Sequence, residues 1–221
     1  MLSPLASGVV LVMSATFHEV SAAGPAVLVD CASSVIQVAV LDPTGAHRWA
    51  RSETEAGLGL FACVEELALY PAAVNAWVLC TGPGSILGIR TAAMALRTWR
   101  MLRPAPFHAY FSLALVARAQ PAPALPVIAD ARRETWHVFT QDRGFRRVPA
   151  AEVPGPCVTP HGFRHWSPLP AGTATTSYDL RELLPRVWNV PLLSPCPEPD
   201  AFLHEEPSYV TWTPQVHRAP S

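Results

Sequence analysis

The residues best suited to chemistry form a glycine-rich turn between an apolar run and a predicted helix. Gly82, Gly84, Ser85 and Gly88 belong to the segment TGPGSILGIR, which follows the strand-like run NAWVLCT. Glycines allow a phosphate to approach the backbone closely, and a helix N-terminus favours negative charge. The segment lacks the lysine of a P-loop and the spacing of a dinucleotide fingerprint. These residues are therefore expected either to cradle a phosphate or to form a tight turn capped by Ser85, and the residue types alone favour the turn.

Two carboxylates that follow short apolar runs are the other potential site residues. Asp30 ends one run and is followed by small residues including Ser33, and Asp130 ends another and is followed by Arg132 and Arg133. A carboxylate in this position can hold a metal or a phosphate, but it can equally cap its own turn. The sequence leaves both alternatives open. The repeated pattern of an apolar strand ending in aspartate indicates a duplicated fold.

The composition excludes several classes of function. The 221 residues are half hydrophobic, which is enough for one large domain or two small ones. All 16 cationic residues are arginine, so Schiff-base chemistry and a P-loop lysine are excluded. A formal net charge of −1 predicts no autonomous nucleic-acid binding. No nucleophile, metal or acid–base constellation is recognisable, which favours a binding or scaffolding subunit over an enzyme.

The five cysteines form no CxxC pair and lie mostly in apolar runs, as buried thiols of a reducing cytoplasm do. Residues 2–17 are apolar, but no positive charge precedes them, and Pro4 and Gly8 interrupt the run. A secretory signal has a basic start and a membrane span needs about 20 apolar residues. We expect residues 1–25 to be a disordered or non-native extension, with a signal peptide as the minor alternative, and no membrane segment.

Periodicity predicts two units that each mix strands and helices. The first begins with three antiparallel strands, and the second contains paired strands and a helix that Ser112 caps. The predicted strands are 27–30, 35–41, 46–52, 75–81, 127–132, 135–141 and 145–148, and the predicted helices are 57–70, 86–102, 112–119 and 178–188. Fourteen of the 24 prolines fall in residues 149–221, so that part is expected to contain few long elements.

The order of these motifs resembles the bacterial TsaB family. The strand ending in Asp30 is followed by TGPGSILGIR, then SLALVA, then IADARRETWHVF, and finally EEPSYV. The resemblance runs from about Val27 to Val210, and the GPGS-x-x-G-x-R stretch is its most specific part. It implies an α/β actin/Hsp70/sugar-kinase-like (ASKHA) fold of two related lobes with mixed sheets, residues 26–105 and 106–221.

The resemblance also implies a function and partners. TsaB proteins are non-catalytic subunits that dimerise with the TsaD threonylcarbamoyl transferase, which makes N6-threonylcarbamoyladenosine at position 37 of tRNA in the cytoplasm. A TsaE-like ATPase joins the assembly, and ATP or ADP can lie at the complex interface. The chain itself is expected to need no cofactor or metal and to make no direct nucleic-acid contact.

The resemblance assigns the partner interface to the helices predicted at 57–70 and 86–102. They would form a helical bundle with the transferase, or with a second copy of the chain in its absence. The predicted interface residues are Leu60, Phe61, Val64, Leu67, Arg90, Met94 and Arg97.

Several positions depart from the family pattern and keep two alternatives open. Ile86-Leu87 replaces the usual Phe-Thr, and Cys31-Ala32 replaces Thr-Ser. One alternative is an ASKHA-fold enzyme, an ATP-dependent phosphotransferase or a metallopeptidase-like protein. It would use Asp30, Ser33, Ser85 and Asp130. The other is a diverged, self-dimerising paralogue.

Overall fold

The computed structural model describes residues 15–202, which form two sheets and five α-helices. The first part contains α1 (Phe17–Ala22), β1 (Ala26–Asp30), β2 (Ile36–Leu41), β3 (Arg48–Ser52), α2 (Ala56–Glu66), β4 (Ala76–Gly82), α3 (Ile86–Trp99) and β5 (Phe107–Phe111). The second contains α4 (Ser112–Ala119), β6 (Val127–Asp130), β7 (Thr135–Thr140), β8 (Gly144–Pro149), β9 (Cys157–Pro160), β10 (Thr173–Thr176), α5 (Leu180–Val187) and β11 (Ser194–Pro195). None of the helices within this range is long and apolar enough to cross a membrane.

The two sheets have the same topology. The first has the strand order β11-β5-β4-β1-β2-β3 and the second the order β10-β9-β6-β7-β8. In each, three antiparallel strands are followed by two strands that add in parallel on the other side of the first. Strand β11 then extends the first sheet by pairing with β5. The predicted α/β class with two related mixed sheets is confirmed.

The two lobes differ in their helices. In the first lobe α2 connects β3 to β4, and α3 connects β4 to β5. In the second lobe the matching connections are a short 3₁₀ turn at Ala150–Glu152 and the irregular segment 161–172. Prolines are frequent in these connections, and proline lacks the N–H that a helix interior requires. Within residues 15–202, only the first lobe therefore carries an outer layer of two helices.

Strand β1 is buried on both faces, which explains its uninterrupted apolar sequence. Leu28 faces a core that extends through α4 and α5 into the second sheet. Val27 and Val29 face the opposite core, beneath α2 and α3. The strand thus supports both the junction between the lobes and the outer helical layer.

Helix α1 corrects the expectation that residues 1–25 lie outside the fold. A capping box between Thr16 and Glu19 begins the helix. Phe17 is fully buried, with ring-centroid distances of 5.8 Å to Tyr110 and 6.4 Å to Trp188. The prediction is wrong for residues 15–25, because an amphipathic turn of helix was hidden at the end of an apolar run. Residues 1–14 and the EEPSYV motif lie outside the described residues.

The predicted lobe boundary at residue 105 is also wrong. Strand β5 pairs with β4, so the first sheet continues to Phe111. The chain later returns to this sheet, where Ser194–Pro195 pairs with β5 as β11. The predicted Ser112 cap is wrong as well, since Phe111 occupies the N-cap of α4. The Ser112 hydroxyl instead donates a 2.6 Å hydrogen bond to the carbonyl oxygen of Pro83. This bond ties the start of α4 to the glycine-rich turn.

Candidate functional site

The first strand-end carboxylate, Asp30, is completely buried and fully occupied by hydrogen bonds. Its Oδ1 accepts the backbone N–H of Ala32 at 2.8 Å. Its Oδ2 accepts the hydroxyls of Tyr110 at 2.5 Å and Tyr178 at 2.7 Å. Tyr110 comes from β5 and Tyr178 from the segment that leads into α5. The carboxyl group therefore connects three parts of the fold and offers no open face to a ligand.

The electrostatic environment of Asp30 disfavours a charge. Burial raises the pKa of this carboxyl, and the hydrogen bonds from Tyr110, Tyr178 and Ala32 oppose the shift without reversing it. None of these donors is a cation. Burial and the nearby carboxylate raise the pKa of both tyrosines, so their hydroxyls remain protonated. Asp30 is thus suited to holding the structure together and not to binding a metal or phosphate.

The glycine-rich turn packs against the chain's own backbone. A Cβ on Gly84 would lie 2.3 Å from the carbonyl oxygen of Ala32, and one on Gly88 would lie 2.3 Å from that of Cys31. The Ser85 N–H donates to the Ala32 carbonyl at 2.7 Å, and the Ser85 hydroxyl accepts the Gly88 N–H at 3.2 Å. The predicted capped turn is confirmed. Gly84 and Gly88 therefore allow the turn after β1 to pack directly against the glycine-rich turn.

Gly82 contributes to the same turn through its backbone. Its φ of +114° lies in a region that side chains rarely adopt, and it precedes Pro83. A Cβ there would also lie 3.3 Å from the Cδ1 of Ile89. All four residues predicted for a phosphate loop are therefore together, but they shape a strand-to-helix turn.

Asp130, the second strand-end carboxylate, binds three backbone amides. Its Oδ1 accepts the N–H of Arg132 at 2.5 Å, and its Oδ2 accepts those of Trp166 at 2.7 Å and Ser167 at 2.8 Å. Partial burial raises its pKa, but the amide bonds from Ser167, Arg132 and Trp166 together outweigh burial, and the net shift is downward. This carboxylate fastens two loops to each other.

A polar cleft of about 380 Å³ lies between β3, the β1–β2 turn and the start of α5. Its lining groups bond mainly to each other: Arg51 pairs with Asp179 at 2.6 Å, and Ser177 donates to Glu182 at 2.9 Å. Ser33 also lines the cleft, but its hydroxyl bonds within its own turn. Across residues 15–202, no group of three His, Cys, Asp or Glu side chains is arranged to hold a metal ion.

The outer surface of α2 and α3 is apolar and exposed. We call it the outer helical face; its large exposed residues are Leu58, Phe61, Ile86, Leu87 and Met94, and Tyr70, Met101 and Leu102 follow the two helices. Phe61 is 54% exposed, and its ring meets the ring of Trp99 at 6.0 Å, which joins the helices. Arg90 is exposed on the same face and lies 3.5 Å from Asp200.

Two of the seven predicted interface residues are not exposed on the outer helical face. Leu60 and Leu67 are buried in the core beneath α2, and Val64 is half-buried against it. Phe61, Arg90 and Met94 are exposed, and Arg97 is intermediate. The prediction thus combines inward-packing and exposed residues, and it omits the exposed Leu58, Ile86 and Leu87. The available signal was the presence of apolar residues on both sides of each helix.

Comparison with known proteins gives fold similarity only. No protein-family profile matches the chain, and no curated protein matches it. The solved structure of YeaZ from Pseudomonas aeruginosa has a TM-score of 0.52 and 19% identity, and the match covers 73% of this chain and 90% of that one. A protein with similarity to peptidase YeaZ from the same organism has a TM-score of 0.48 and 19% identity, covering 74% and 89%. The chain therefore has the fold of YeaZ.

Gly88→Ala tests whether the turn after β1 closes the helix N-terminus. We expect a loss of about 1–3 kcal/mol in the free energy of unfolding, because the new Cβ meets a backbone oxygen. Gly57→Ala in α2 is the matched control, since its nearest contact is the Glu55 carboxylate at 3.7 Å. It should stabilise by about 0.5–1 kcal/mol. Urea unfolding measures the free energy of unfolding of both variants. An unchanged free energy of unfolding in Gly88→Ala would show that the turn is open.

Asp30→Asn tests the state of the buried carboxyl. The folded state binds the Asp30 proton more tightly than the unfolded state, so its stabilising effect is present below the ordinary pKa of 3.8 and is lost as pH rises through the raised folded value. The variant does not titrate there. We therefore expect its stability relative to wild type to increase with pH above about 4, measured by urea unfolding.

Asp42→Asn is the control for that pH series. The hydrogen bonds from Thr44 lower the pKa of Asp42, which lies in an exposed turn. Its contribution is present above 3.8 and is lost only as pH falls through the lower folded value. The difference between this variant and wild type should stay flat above about pH 5. A flat difference for Asp30→Asn as well would contradict the raised pKa.

Proposed function

We propose that this chain is a divergent member of the TsaB family and a non-catalytic subunit of the complex that forms N6-threonylcarbamoyladenosine at position 37 of tRNA. Its fold is that of YeaZ, the Pseudomonas TsaB homologue. The order of its motifs supports the same assignment. In this proposal the chain works in the cytoplasm by dimerising with a TsaD-like transferase, and a TsaE-like ATPase joins them.

The outer helical face is the observation that carries the proposal. Of the ten exposed large hydrophobic side chains within residues 15–202, eight lie on α2 and α3 or directly after them. Leu87 is 78% exposed and Met94 is 61% exposed. Exposed apolar side chains concentrated on one pair of helices are typical of a protein interface, and a stable interface buries about 1,600 Å² in total. The face supplies the apolar centre that such an interface requires.

The support beneath this face suits an architectural role. Helices α2 and α3 rest on a continuous core formed with β1 and β4, which includes Leu60, Trp77 and Leu96. Close-packed interiors deform little. A partner seated on the helices would therefore bind a rigid platform, and the proposed effect is to hold the lobes of the transferase in a competent arrangement.

The closed centre supports a subunit role over an ASKHA-fold enzyme. Asp30, Ser33, Ser85 and Asp130 are the residues that such an enzyme would use, and each is engaged by hydrogen bonds within the chain. A phosphotransferase needs open donors for phosphate or metal. In the proposal any ATP or ADP lies at the complex interface and draws on groups of the partners.

Leu87→Asp combined with Met94→Asp tests the interface. Both side chains are exposed, so the substitutions should leave the fold intact while placing two charges in the apolar contact. We expect the tagged variant to lose the transferase that wild type recovers from its own cell lysate, as identified by mass spectrometry. Val64→Asp is less informative, because Val64 also packs against the core.

Leu169→Asp, in the second lobe, is the matched control and should retain the transferase. Retention of the transferase by the double variant would contradict the proposed interface. If the tagged wild-type chain recovered only further copies of itself from a lysate that contains the transferase, the result would support the self-dimerising paralogue.

A further inference from the structure

The turn between β6 and β7 contains three consecutive residues in the left-handed region. Arg132, Arg133 and Glu134 have φ values of 64°, 52° and 57°. Residues other than glycine adopt this conformation rarely, and such strain persists only where surrounding contacts enforce it. The turn therefore presents its exposed side chains in a fixed, energetically unfavourable geometry, which is typical of binding sites.

A set of polar contacts enforces this geometry. Besides the Asp130 bond to the Arg132 N–H, the Thr135 hydroxyl donates to the Arg132 carbonyl at 2.7 Å. The Arg147 Nε donates to the Thr135 hydroxyl at 2.8 Å, and its Nη2 donates to the Ala131 carbonyl at 3.1 Å. The turn is thus braced from both of its ends.

The same carboxylate places a tryptophan beside the strained turn. Asp130 holds the backbone of Trp166, and the Arg132 guanidinium lies 4.4 Å from the centroid of the Trp166 indole. The Trp166 side chain is nevertheless 63% exposed. The guanidinium holds the indole in place while leaving most of it exposed, and the exposed ring offers a surface on which another flat ring can stack.

Two further arginines lie close to this pair along the chain. Arg133 and Arg164 are exposed and lie one and two residues from Arg132 and Trp166 in the sequence. The acidic groups here are Glu134, in the turn, and Asp130, whose carboxylate is taken up by the backbone amides of Arg132, Trp166 and Ser167. The segment also lies beside the β1–β2 turn, because the Ser34 N–H donates to the Gly162 carbonyl at 2.9 Å. An aromatic platform flanked by arginines fits a ligand that combines a flat ring with phosphate.

We propose that the Arg132–Trp166 pair is a contact site for a nucleotide unit of single-stranded RNA. The base would stack on the guanidinium–indole pair, and the flanking phosphates would meet Arg133 and Arg164. The net charge of −1, which argues against autonomous binding, is an average over the chain and does not report this local cluster. The site goes beyond the proposed function, since it needs neither the transferase nor the outer helical face.

Fluorescence anisotropy with a labelled single-stranded RNA of about 12 nucleotides, at low salt, tests the site on the full chain. Trp166→Ala and Arg132→Ala should each weaken binding by about tenfold, and Trp166→Tyr should retain most of it because the ring still stacks. Arg143→Ala is the matched control: this exposed arginine lies at the opposite end of the β7–β8 hairpin. Thermal unfolding confirms that each variant is folded.

Unchanged RNA binding by Trp166→Ala would overturn the proposal. An equal loss of RNA affinity in Arg143→Ala would also overturn it, because it would indicate a general electrostatic attraction between the arginines and RNA. Binding of poly-glutamate that Trp166→Ala removes, without an effect on RNA, would overturn it in favour of an acidic peptide. If AMP displaced the labelled RNA with an affinity equal to that of the RNA itself, the proposal of an RNA site would be overturned. The ligand of the platform would then be a free nucleotide. Leu87→Asp should leave RNA binding intact, which separates this site from the proposed interface.

Discussion

The hydrogen-bonded carboxyl of Asp30 is the interaction on which the arrangement of the two lobes depends. It is buried without a cation and joins β1, β5 and the start of α5 through Ala32, Tyr110 and Tyr178. An unsatisfied polar group in such a place costs about 1–3 kcal/mol, so all three donors must stay in position. The carboxyl thereby fixes the turn after β1. The Ala32 carbonyl of that turn accepts the Ser85 N–H, which closes the N-terminus of α3.

This closure occupies groups that the turn after β1 would otherwise offer to a phosphate. Each sheet ends its first strand in an aspartate, and each aspartate binds its own loops. Both sheets share one strand arrangement, but the described part of the second lobe has no helices that match α2 and α3. The two proposed contact surfaces lie on the outside: an apolar face over α2 and α3, and an arginine–tryptophan pair at the turn between β6 and β7.

The sequence predicts the local elements better than the contacts between them. Strand-length apolar runs, the Ser85 cap and the duplicated strand–aspartate pattern all follow from residue types and short spacings. The tyrosines that hold Asp30 do not, because they lie 80 and 148 residues away and resemble any other aromatic core residue. The burial of Leu60 and the exposure of Leu58 do not follow from the sequence for a related reason. Both sides of α2 are apolar, so periodicity alone does not show which side packs inward.

Hydrogen–deuterium exchange on the full chain tests the central claim, that the centre is closed and the outer helical face binds a partner. The chain would be compared alone, with Mg-ATP, and with a stoichiometric TsaD-like transferase. The account predicts that the transferase slows exchange in α2 and α3, whereas Mg-ATP alone changes nothing in residues 30–34 or 82–88. Slowed exchange in those two turns with Mg-ATP, and none in α2 and α3 with the transferase, would contradict it.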